Sequence, residues 1–174
     1  MAHSRQRLTL PDKGNRPQRE HKRARSVKNE IRLWSRKDFL AIRPRREYPL
    51  INEALTMERL ADAIEQGGGP SIICANDRGP WGACGVFPLG TDVAEGWAIT
   101  SREMLRNIAF FTDATRDGLI HVAMVHGYTT IYAHVREAWH LAQVWLGDFG
   151  FTRVRIEIGA HGTPMLVMKW MYHV

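Results

Sequence analysis

Across one dipeptide, Gly150-Phe151, the hydrophobic period of the chain changes from helical to alternating. Before it, the spacing of Ala138, Leu141, Ala142, Trp145 and Phe149 predicts a helix with these side chains on one face. After it, "TRVRIEI" sets Val154, Ile156 and Ile158 against Arg153, Arg155 and Glu157, the pattern of a strand with one buried face. A glycine at the junction can take the left-handed conformation that ends a helix, and a phenylalanine directly after it can plug the core. The turn "GAHGTP" then returns the chain into "MLVMKWMYH" as an antiparallel partner. The chain therefore ends in a helix closed onto a sheet hairpin.

The rest of the body follows the same kind of punctuation. "EIRLW" reads as a short strand, and Ser35 with Asp38 as the cap of the turn or helix behind it. In "EYPLINEALTMERLADAIEQGGG", Leu55, Leu60, Ala61 and Ile64 recur at helical spacing until Gly67-Gly68-Gly69 stops them. "SIICAN" and "WGACGVF" flank the turn "DRGP" as a hairpin, and "EGWAIT" is a further strand. Ser101 opens a helix with an apolar stripe of Met104, Leu105, Ile108 and Phe111, running through "LIHVAMVH" to Gly127. "YTTIYAHV", rich in β-branched and aromatic residues, is a strand. This order predicts an α+β sandwich with a mixed, mostly antiparallel sheet.

Charge divides the chain differently. Residues 1–46 hold 15 lysines and arginines against 4 acids, a net +11, while residues 47–174 hold 9 against 14, a net −5. Residues 1–29 carry few large apolar groups and no period. Such a segment buries too little surface to offset its ordering entropy, so it is expected to be a basic arm that orders only on a partner. Residues 30–174 form the expected domain. Within the arm, "REHKRARSVK" offers Arg19, Lys22, Arg23 and Arg25 as anchors for an acidic protein surface or for phosphates.

Several chemistries lack their residues. No stretch approaches the ~20 apolar residues a membrane helix needs. Cys74 and Cys84 fit buried thiols of a protein made in the cytoplasm better than a disulfide framework. His121 and His126 are five apart, off the spacing of paired helical ligands, and His134 and His140 straddle a strand-to-helix junction, so no metal set assembles. Ser35, Ser71 and Ser101 lack a nucleophile elbow, and "GGGP" lacks the lysine and hydroxyl of a phosphate loop. No helix-turn-helix supports a DNA-binding regulator.

The order of elements, ending in helix, Gly150-Phe151 and a last hairpin, resembles the GNAT superfamily of N-acetyltransferases over roughly residues 30–172. In that family the helix before Gly-Phe often carries Asn-x-x-Ala and, further on, a tyrosine that protonates the departing thiolate. Ala142 matches the alanine, but Trp139 stands in place of the asparagine and Leu146 in place of the tyrosine, and leucine has no proton to give. The family's glycine-rich turn after its fourth strand holds the pyrophosphate of acetyl-CoA on backbone N–H groups. The matching stretch here, "TSREMLRNIAF", has no glycine between Gly96 and Gly118 and offers only Ser101, Arg102 and Arg106.

A narrower resemblance follows from "EGWAIT", "LGDFGF" and "GAHGTPMLVM", which are similar to the divergent GNAT-like internal virion proteins of short-tailed bacteriophages. It implies a non-catalytic structural protein with no cofactor, made in the host cytoplasm and incorporated in the particle. The basic arm is no part of that resemblance; its charge alone leads to the expectation that residues 1–46 bind virion proteins or nucleic acid. The alternative it leaves open is a working acetyl-CoA-dependent N-acetyltransferase, with Glu95 as base or Tyr132 standing in for the missing tyrosine.

Overall fold

The computed structural model describes residues 27–45, 56–159 and 162–172. The arm residues Arg19, Lys22, Arg23 and Arg25 lie outside the described residues, as does Leu55.

A seven-stranded sheet forms the centre: β1 (Glu30–Leu33), β2 (Ser71–Asn76), β3 (Gly79–Pro88), β4 (Val93–Thr100), β5 (Thr130–Arg136), β6 (Thr152–Ile158) and β7 (Pro164–Met171). Their order across the sheet is β1-β2-β3-β4-β5-β7-β6. Every neighbouring pair is antiparallel except β4 with β5. This is the mixed, mostly antiparallel α+β architecture that the sequence predicts.

Helices α1 (Arg36–Ala41) and α2 (Met57–Gly67) come before β2. Ser35 caps α1 by accepting from the Asp38 N–H, and Thr56 caps α2 by accepting from the Arg59 N–H. Gly68, at φ 65°, ends α2 in the left-handed conformation. Phe39, Ile42, Ala61 and Ile64 from this pair bury Ile73, Ala83 and Ile99 on what we call the front face. The back face lies under α3 (Ile108–His126) and α4 (His140–Asp148). There Val122 and Phe149 pack on Ala94, Ile131, Ala133, Val135, Leu166 and Met168. Trp145 of α4 stacks on Phe111 of α3 with ring centroids 5.4 Å apart, and its indole N–H donates to Thr112 Oγ1 at 2.9 Å. Among the described residues, no helix is long and apolar enough to cross a membrane.

Three expectations need correction. Ser101 caps a separate 3-10 turn (Arg102–Arg106), and α3 starts only after Asn107, so Leu105 and Ile108 are exposed rather than part of a buried stripe. Helix α4 presents Ala142, Gln143, Leu146 and Phe149 inward, whereas Leu141 is 86% exposed and Ala138 also faces solvent. The last hairpin does not bury one face of each strand. β6 is the sheet's edge, and Val154, Ile156 and Ile158 are 46%, 54% and 72% exposed because α4 does not reach over them. Gly150 does turn the chain as predicted, at φ 91°, and Phe151 is buried.

Candidate functional site

The parallel seam between β4 and β5 is short. Val93, Ala94, Glu95 and Gly96 pair with Thr130, Ile131, Tyr132 and Ala133, and then the two strands part. β4 continues unpaired with β5 to Thr100, and β5 continues to Arg136, so a notch opens in the middle of the sheet.

Side chains of alternate residues share a face, so the register puts Glu95 and Tyr132 side by side on the front face. His134, two residues beyond Tyr132, joins them there. Its Nδ1 lies 2.7 Å from Glu95 Oε1, and its Nε2 lies 3.7 Å from Glu157 Oε2. Glu157 in turn accepts from the Arg155 Nε–H. That neighbouring guanidinium, together with His134, holds the Glu157 carboxyl below the ordinary range. The two carboxylates face opposite ring nitrogens, so they flank the imidazole and do not converge on a common point as metal ligands would.

Thus Glu95 and Tyr132, expected from sequence, come together at the parting strands. His134 joins them, although sequence reading considered it only as a metal ligand. A local signal was available, since His134 and Tyr132 sit two apart on one strand and must share a face.

On the chain path after β4, Ser101 N–H donates to Trp81 O, and Ser101 Oγ accepts from Glu103 N–H. The Met104 N–H returns to Ser101 O, and the Asn107 N–H to Met104 O. These donors are committed inside the turn. Asn107 spends its side chain on Glu103 O and on Asn29 rather than on capping α3. Arg106 pairs with Glu103 at 3.2 Å, and Arg78 approaches the same carboxylate at 3.5 Å. Arg102 is exposed and lines an open groove with Arg43, Pro44, Ser101 and Glu103. Arg43 and Arg102 bring two cations to this groove beside the Glu103 carboxylate. Leu146, in the position of the family's tyrosine, is half-buried against the back core and lies away from the Glu95–His134 pair in chain and face.

No family model matches the chain, and no curated protein matches its sequence. Solved structures do match its fold. The chain is similar to Ard1 from Thermoplasma volcanium, with TM-score 0.71, 13% identity and coverage of 84% of this chain and 99% of that one. It is similar to the spermidine N-acetyltransferase of Vibrio cholerae, solved with CoA and spermine, with TM-score 0.64, 13% identity, and 82% and 95% of the two chains covered. A ribosomal-protein-alanine N-acetyltransferase from Brucella melitensis gives TM-score 0.64, 12% identity, and 82% and 99% coverage. With its seven-stranded sheet, single parallel seam and helix-capped hairpin, this chain has the fold of the GNAT N-acetyltransferases.

Proposed function

We propose that the chain is a GNAT-fold interaction protein, non-catalytic, carried by a phage particle, whose basic arm grips a partner protein or nucleic acid. The observation that carries this reading is the Ser101–Asn107 turn. The N–H groups of Ser101, Glu103, Met104 and Asn107 are bonded to Trp81 or within the turn, so these four are not offered to a pyrophosphate. Leu146 adds support, because a packed leucine cannot protonate a thiolate. The phage context rests on the resemblance of "EGWAIT", "LGDFGF" and "GAHGTPMLVM". In this reading Arg19, Lys22, Arg23 and Arg25 anchor the arm, and the domain is a rigid platform behind it.

A calorimetric titration of the full chain with acetyl-CoA, with Arg102→Ala as control, tests it. No heat at high ligand concentration is expected. Micromolar binding that Arg102→Ala abolishes would overturn the reading.

One observation favours a second reading, an acetyl-CoA-dependent N-acetyltransferase. Glu95, His134 and Tyr132 meet where the strands part. In that reading Glu95, with His134, accepts the proton of the attacking amine, and Tyr132 returns one to the CoA thiolate. Ser101 and Arg102 would hold the phosphates, with Arg106 freed from Glu103.

A further inference from the structure

β6 leaves an unusual edge. It is seven residues long, it pairs only with β7 among the described residues, and its back-face side chains Ile156 and Ile158 are more than half exposed. Edge strands of soluble proteins are ordinarily blunted by short length, charges, proline or bulges. β6 has a bulge at Val154, between Arg153 and Arg155, and beyond it a regular run with charges of opposite sign, Arg155 and Glu157, on the front face.

We propose that β6 pairs antiparallel with β6 of a second copy, across a two-fold axis at Ile156, to make a dimer with a continuous sheet. A two-fold perpendicular to the sheet keeps each face on its own side, so opposite residues must share a face. An axis at any of the four residues of this run meets that condition. An axis at Arg155 sets Arg155 against its own copy, and one at Glu157 sets Glu157 against its own copy. The axis at Ile156 alone matches Arg155 with Glu157 of the second copy, twice by symmetry. It also sets Ile156 against Ile156 on the back face, covering part of the apolar surface that α4 leaves bare.

The other edge is a weaker candidate. β1 has four residues against seven in β6, and residues 1–29 lead directly into it. The proposal goes beyond the function above and holds whether or not the domain binds acetyl-CoA.

Sedimentation of the full chain over a range of concentrations tests it, comparing wild type with Arg155→Glu, Glu157→Arg and the double exchange. Arg155 is exposed and Glu157 half-buried, and circular dichroism checks that each variant is folded. Wild type should dimerise reversibly. Each single exchange creates two like-charge pairs across the axis and should raise the dissociation constant by about tenfold or more, while the double exchange should restore it to within about threefold. Ile156→Lys, which places a charge on the axis, should give monomer. A wild type that is monomeric at every concentration, a double exchange no better than the singles, or growth into open polymers through β1 would each overturn the proposal.

Discussion

Glu95 Oε1 and His134 Nδ1 meet at 2.7 Å from two parallel strands that are hydrogen-bonded up to Gly96 and Ala133 and separate beyond them. The contact joins residues 39 apart in the chain. Glu157 reaches the other side of the same ring from β6, so one imidazole links β4, β5 and the edge strand across the front face.

Glu157 should titrate below an ordinary glutamate. Arg155 donates to it directly and is the main cause, with His134 adding a smaller effect. A depressed carboxyl contributes stability above its unfolded pKa and loses it as pH falls through the folded one. Carboxyl-carbon NMR should therefore find Glu157 ionised at pH values where unfolded-chain glutamates have begun to protonate. Arg155→Ala should move its midpoint up; an unmoved midpoint would refute the assignment to Arg155.

The two cysteines should be inert in the folded protein. Burial pushes the Cys74 thiol up to about 12 and the Cys84 thiol up to about 11, and Thr115 beside Cys84 offsets only part of the effect. Alkylation requires the thiolate, so neither should react appreciably at pH 8 until urea unfolds the chain. The same shift makes stability fall with pH. The contribution of the neutral thiols is intact below the unfolded value of about 8.5 and is lost as pH climbs toward the folded values. Mass spectrometry after iodoacetamide treatment, with and without urea, reads the first effect.

Gly150→Ala isolates a purely conformational cost. At φ 91° an L side chain is strained, yet the added Cβ would meet nothing closer than the Trp170 ring at 3.7 Å. A loss of about 1–2 kcal/mol in urea unfolding is expected. Gly69→Ala is a harsher change, because its Cβ would fall 1.7 Å from the Val86 carbonyl oxygen and the α2–β2 connection would have to move. The second variant should lose more stability than the first.

Much of the fold was legible because its boundaries are local events. Ser35, Gly68, Gly127 and Gly150 each act on backbone within one turn of themselves, and their residue types declare it. Exposure was not legible at Leu141, Ile156 and Ile158. A hydrophobic period tells which side chains share a face, and only the lateral reach of α4 decides whether that face is covered. The Ser101 cap was read correctly, but not the break at Asn107, whose side chain turns to Glu103 and to Asn29, far off in sequence. At the site, Glu95 and Tyr132 could be named from their strands. Their union with His134 and Glu157 depends on register across four strands, which no local pattern records.

The short seam also has a mechanical side. On the back face, Trp145 ties α4 to α3 through Thr112 and Phe111, and α3 spans from the β2–β3 core to the β5–β7 core. On the front face, among the described residues, α1 and α2 pack on β2–β4 and not on β5 or β7. The domain is thus hinged like a book, bound along its back. A load that spreads the two leaves would stretch the Glu95–His134 contact before it strained either core.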